Sequence, residues 1–114
     1  MQLAAPRGCE EEARRFFGGL LGLDEVEKPK QLRARGGIWF ALGDQQLHIG
    51  VEEPFAPARK AHVALRVGID ELDRIAAALP NVEWDESLPG VRRFYTADPW
   101  GNRIELKAGA NAQR

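Results

Sequence analysis

The sequence predicts an α+β domain of two tandem modules, each running strand, helix, then three strands. Three observations predict it. Apolar residues switch twice between a helical and an alternating spacing, turn-forming residues separate the alternating runs, and the order of elements repeats after about fifty residues. A chain of 114 residues has the usual size of one compact domain and enough apolar surface to build a core without staples.

In the first module Gln2 to Ala5 reads as a short strand. Ala13, Phe16, Phe17, Leu20 and Leu21 then follow the spacing of one helical face. Glu10 to Glu12 precede them and "GGLLG" closes the run, so acidic residues at the start and glycine at the stop predict a helix over 9–21. Glu25 to Glu27 gives a second strand. "IWFAL" (38–42) and "QQLHIGVE" (45–52) give a third and fourth, joined by Gly43-Asp44 as a two-residue hairpin turn. "EEPFAPARK" reads as a linker over 53–60, which leaves modules at 1–52 and 61–107.

The second module opens with a strand from Ala61 to Val67. Leu72, Ile75, Ala76 and Leu79 mark a helix with Asp70 as its N-cap and Pro80 as its stop. Val82 to Trp84 is a short strand, and "VRRFYTA" (91–97) and "NRIELK" (102–107) flank the turn "DPWG". Residues 108–114 read as a flexible tail. "GIWFALGDQQLHIG" and "GVRRFYTADPWGNRIELK" keep a trace of the duplication, so His48 and Glu105 fall on equivalent strands. A ferredoxin-like domain with another strand order accounts for this repeat less well.

Charge narrows the function. Sixteen basic and seventeen acidic residues leave a net charge of -1, without the positive field that draws proteins to nucleic acid or anionic membranes. No apolar run approaches the ~20 residues of a membrane span, and the N-terminal stretch lacks the pattern of a signal peptide. The lone Cys9 forms no internal disulfide. These readings lead to the expectation of a soluble cytoplasmic protein. Cys9 stands at a helix start, where a thiol can become nucleophilic, but the three glutamates after it oppose a thiolate. A packed small residue is the simpler reading.

Strand parity selects the polar candidates, because successive side chains point to opposite faces. Leu47, Ile49 and Val51 form one face of their strand and leave Gln46 and His48 on the other. Val63, Leu65 and Val67 oppose His62, Ala64 and Arg66, and Ile104 and Leu106 oppose Arg103, Glu105 and Lys107. Polar residues opposite apolar ones are the ordinary pattern of any one-sided sheet. If the two halves curl to face one another, however, His48, His62 and Glu105 converge. Two imidazoles and a carboxylate then form a metal-binding set with open positions for substrate or water.

At this point the chain resembles the vicinal oxygen chelate superfamily, which includes glyoxalase I, bleomycin-resistance proteins, fosfomycin-resistance transferases and extradiol dioxygenases. The resemblance spans residues 1–107 and rests on the tandem order, on "ARRFFGGLLGL", on "AHVALRV" and above all on "RRFYTADPWGNRIEL". It implies a curled, mostly antiparallel eight-stranded sheet around a cleft with the helices outside. It also implies a divalent metal (Zn, Ni, Mn or Fe) held by His48, His62 and Glu105, with Glu105 as the catalytic carboxylate, and a homodimer acting on a small molecule with vicinal oxygens. The reaction would be of lyase, isomerase, transferase or dioxygenase type.

Two departures from the family pattern matter. The fourth-strand ligand is often a glutamate in glyoxalase I, where this chain has His48. The first-strand ligand would fall immediately before Met1, which leaves three accounts open: a start upstream, approach by the Gln2 amide, or loss of the metal. The last leads to the alternative, a metal-free protein of bleomycin-resistance type that sequesters a ligand. Gln2, Trp39, Phe55, Arg66, Arg93 and Trp100 are the candidate substrate-binding residues, with Phe55 placed in the linker as a lid. Against them stand the plainer readings of solvated arginine and core tryptophan.

Overall fold

The computed structural model describes residues 1–109. Eight strands fall into two four-stranded mixed sheets of identical order. The first joins β1 (Gln2–Ala5), β2 (Asp24–Val26), β3 (Ile38–Leu42) and β4 (Gln45–Val51) in the order β1-β4-β3-β2. The second joins β5 (Val63–Val67), β6 (Glu83–Trp84), β7 (Arg93–Ala97) and β8 (Arg103–Ala108) as β5-β8-β7-β6. The predicted α+β class and its two tandem modules are therefore present, as two separate sheets that do not close on each other. In each sheet the outer pair is parallel and the other two pairings are antiparallel. Gln2 pairs with His48 in one sheet and Ala64 with Glu105 in the other, so the repeat extends to the register.

Each sheet buries one face under a helix. The first helix is α1 (Glu10–Ala13), which continues as a wider π-type turn over Arg14–Leu20. Leu21 N–H donates to Phe16 O at 3.0 Å, an i→i+5 bond that marks the widening. Ala13, Phe16, Phe17 and Leu21 are buried against Leu3, Ile38, Phe40, Leu47 and Ile49. The second helix, α2 (Ile69–Ala78), buries Leu72 and Ile75, and Leu65, Phe94, Ile104 and Leu106 form the buried face of its sheet. Gly68 is its N-cap, so Asp70 lies in the first turn and favours the helix dipole without capping it.

Several boundaries differ from the sequence reading. β5 begins at Val63, which leaves His62 just outside the strand, and a 3₁₀ helix over Lys30–Arg35 joins β2 to β3. Ala108 belongs to β8, and Gly109 N–H donates to Val67 O at 2.6 Å. The expected tail therefore does not begin at 108, and its residues 110–114 lie outside those described. Cys9 is buried, and burial followed by the charge of Glu10 pushes its thiol pKa up, which is the condition of a packed residue.

Two contacts tie the modules together. Arg74 of α2 donates to the carbonyls of Leu20 and Leu21 at 3.4 Å, which caps the first helix from the second module. The turn between β7 and β8 reaches the other way. Asn102, 1% exposed, donates to Ala4 O at 2.8 Å and accepts from Ala58 N–H at 2.9 Å.

Candidate functional site

His62 and Glu105 meet on the face of the second sheet opposite the core. The chain leaves the linker at Lys60, and the imidazole turns back so that Nδ1 lies 3.0 Å from Lys60 O. A carbonyl only accepts, so Nδ1 carries the proton. In the neutral ring Nε2 is then a bare lone pair, and it lies 3.0 Å from Glu105 Oε1. Two acceptors at this distance repel each other unless a proton or a metal cation stands between them.

Glu105 is only 7% exposed, and a buried carboxylate needs partners. Its Oε2 accepts from Arg93 Nη1 at 3.3 Å, and Arg93 Nη2 pairs with Asp85 Oδ2 at 3.0 Å. Charge therefore alternates along Glu105, Arg93 and Asp85. The ring of Tyr95 stands edge-on to His62 at 5.3 Å, and the Arg103 guanidinium lies 4.0 Å over Tyr95. Arg93 Nε is buried without a hydrogen-bond partner.

His48 lies elsewhere. Its ring stacks on Trp39 with centroids 3.6 Å apart and planes 1° from parallel, and its Nε2 is 2.9 Å from Gln46 Oε1. Burial first, then the N-terminal ammonium and Lys28, hold its pKa below the usual value. Both rings border a cavity of about 380 Å³ on the first sheet, together with Gln2, Lys28 and Arg35. Among the described residues no three His, Cys, Asp or Glu side chains are placed to hold one ion. The convergence of His48, His62 and Glu105 therefore does not occur within one chain. The physical reason is that the sheets stay open: parity puts the three on inner faces but does not bring those faces together.

The remaining candidates divide as follows. Arg93 belongs to the His62–Glu105 cluster. Gln2 and Trp39 line the cavity beside His48. Arg66 is exposed and lines a different cavity of about 320 Å³ with Lys107 and the β3–β4 turn. Trp100 packs on the core, and its N–H donates to Asp98 Oδ1 at 3.0 Å. Phe55 is half-buried in the linker. The sequence reading did not select Tyr95, although it pairs with Glu105 across β7 and β8 and parity would have found it. Asp85, Lys28 and Arg35 lie outside the β-strands, where no periodicity marks them.

The donor pair suits a metal. His62 Nε2 and Glu105 Oε1, 3.0 Å apart, are a nitrogen and an oxygen donor of the kinds that would hold a divalent ion. The contact of Nδ1 with the Lys60 carbonyl is of the kind that orients an imidazole whose other nitrogen is to serve as a ligand.

Comparison with solved structures follows the same lines. A glyoxalase family protein from Bacillus anthracis is 46% identical, with a TM-score of 0.89 over 95% of this chain and 90% of that one. A glyoxalase/dioxygenase from Nostoc punctiforme is 21% identical, with a TM-score of 0.72 over 94% and 88% of the two chains. A lactoylglutathione lyase from Agrobacterium tumefaciens is 24% identical, with a TM-score of 0.66 over 96% and 92%. The last two share the fold. No protein-family model matches the sequence, and no curated protein does so.

Proposed function

The chain belongs to the glyoxalase family of the vicinal oxygen chelate superfamily, and on that premise we propose that it holds a divalent metal ion through His62 and Glu105 and acts on a small molecule with two neighbouring oxygens. The observation that carries the proposal is the pair itself, His62 Nε2 and a Glu105 carboxylate oxygen 3.0 Å apart with the far ring nitrogen 3.0 Å from Lys60 O. Nitrogen and oxygen donors suit zinc, nickel, manganese or iron. When bound, such an ion supplies Lewis acidity that stabilises negative charge on the substrate's oxygens.

The chain's own residues do the rest. Arg93 fixes the Glu105 carboxylate through Oε2, and Glu105 is the carboxylate that would take or return a proton. Tyr95 closes one side of the imidazole and limits its rotation. The reaction is a lyase, isomerase, transferase or dioxygenase step, and the place of action is the cytoplasm, where a lone reduced cysteine is at home. Among the described residues no helix is long and apolar enough to cross a membrane.

Elemental analysis of protein purified without chelator or histidine tag tests the proposal, followed by titration of the four metals into the apo form. Near-stoichiometric metal is expected. His62→Ala and Glu105→Gln should each weaken uptake at least about a hundredfold, since loss of a ligand exceeds loss of an outer-shell partner, while circular dichroism stays unchanged. Absence of uptake by the unaltered protein would overturn the reading in favour of metal-free ligand sequestration.

A further inference from the structure

We infer that Asp85 is a positioning residue: by engaging one arm of Arg93 it keeps that guanidinium from closing on both oxygens of Glu105. Glu105 Oε1 is thereby left open toward His62, and on the proposed metal reading it is the oxygen an ion would use. Asp85 stands one residue past the end of β6. Trp84 pairs with Phe94, and Asp85 N–H donates to Arg93 O at 3.1 Å, so the antiparallel pairing runs on and sets Asp85 opposite Arg93 on one face. The chain then turns, and Ser87 N–H donates to Asp85 Oδ1 at 2.9 Å. That bond fixes the carboxylate, and its other oxygen, Oδ2, lies 3.0 Å from Arg93 Nη2. The two side chains are only 17% and 25% exposed, unlike the freely solvated ion pairs that contribute little.

Arg93 is shared between two acids. Its Nη1 donates to Glu105 Oε2 at 3.3 Å while Nη2 serves Asp85. A guanidinium that faces a single carboxylate favours two parallel bonds to it, because its planar fork matches both oxygens. Here the fork is split, and the split leaves a mark: Arg93 Nε is buried with no hydrogen-bond partner, a state that few native polar groups show. A rotation that gave Glu105 both Nε and one Nη would satisfy the orphan donor. It would also commit both oxygens of Glu105.

Asp85 opposes that rotation by holding Nη2, and Glu105 Oε1 stays 3.0 Å from His62 Nε2. A neutral residue at position 85 holds the arm less firmly, a bond to an ionised acceptor being about twice as strong as one between neutral groups. Charge acts in the same direction. Glu105 and Arg93 alone sum to zero, and Asp85 gives the group a net negative charge, which is the sign that attracts a cation.

The test is Asp85→Asn, which keeps the shape and an oxygen for Ser87 N–H while removing the charge. Asp85 lies beyond the end of an edge strand and is a quarter exposed, so the variant keeps the fold, which circular dichroism checks. The first measurement is ¹H–¹⁵N NMR of the full chain in chelator, on the Arg93 Nε–H signal assigned through its side-chain correlations. In Asp85→Asn that signal should move downfield as Nε gains a carboxylate partner, a change that loss of the loop contact alone would not produce. The second is zinc affinity by competition with a chromophoric chelator. It should fall at least about tenfold, as when a partner of a metal ligand is removed. An unshifted Arg93 Nε–H signal or an unchanged zinc affinity would each overturn the inference. If the unaltered protein takes up no metal, the metal reading fails, and the Nε–H signal in chelator still decides whether Asp85 governs the pairing of Arg93 with Glu105.

Discussion

His48 and Trp39 share a stack tight enough for the charge of one to report on the other. An imidazolium against an indole face quenches its emission and gains cation–π attraction, yet burial and the nearby positive charges favour the neutral ring. The pKa of His48 is thereby held below 6.5, so the unfolded chain binds the proton more readily than the folded one. The sign of the linkage follows: the stability that His48 contributes is present above pH 6.5 and is lost as pH falls through its folded-state value. Wild-type emission minus that of Trp39→Phe should therefore rise with pH through a midpoint below 6.5, and His48→Gln should abolish the transition. A midpoint above 6.5 would contradict the stacked, partly buried geometry. At this scale parity along a strand is informative, because it placed His62 and Glu105 opposite the core, where they meet. Parity carries no information on how two sheets face each other, and so the separation of His48 from that pair was not legible.

The turn from Asp98 to Asn102 shows what one element does for the whole repeat. Asp98 Oδ1 accepts from Trp100 N–H at 3.0 Å and from Asn102 N–H at 2.8 Å, and Asn102 Nδ2 donates to Asp98 Oδ2 at 2.7 Å. From there Asn102 reaches Ala4 and Ala58, so the hairpin of the second module latches onto the first strand and the linker. Asn102→Ala leaves several buried polar groups without partners and should cost about 3 kcal/mol by urea unfolding. Asn102→Asp sets a second carboxylate against Asp98, whose pKa burial already pushes up. Its deficit should therefore shrink as pH falls and the pair takes up a proton. A deficit that is constant with pH would show that the two side chains do not interact. The sequence "DPWG" announces the turn through its proline and glycine, but nothing in it tells that Asn102 bonds across 98 positions. The 3₁₀ helix at Lys30–Arg35 and the widened end of the first helix were equally silent. One has no apolar period, and the other keeps the apolar face of an ordinary helix while its hydrogen bonds change partner.

The molecule as a whole is long for its mass, with extents of 44 × 26 × 21 Å. Its two sheets are joined through helix and hairpin contacts, and each keeps one face for its own helix. The opposite faces, with His62 and Glu105 on one and the Trp39–His48 cavity on the other, are not closed over each other within a chain. A divalent ion takes about four to six donors, and on the proposed reading one chain would supply two, His62 Nε2 and Glu105 Oε1, which lie 3.0 Å apart. A second copy with its first sheet set against the second sheet of its partner would enclose the ion, exclude water from it and bury both inner faces, as isologous pairing allows. We propose that the working form is such a homodimer, with a solution mass twice the 12.7 kDa of one chain. If the partner completes the metal's surroundings, assembly and metal binding are thermodynamically linked, and each strengthens the other. Light scattering at increasing dilution should then find dissociation at lower protein concentration with metal than with chelator, and metal affinity should fall as the dimer comes apart. A monomer at all concentrations, with a metal affinity independent of dilution, would place the remaining donors in the solvent or the substrate and leave each chain a complete unit.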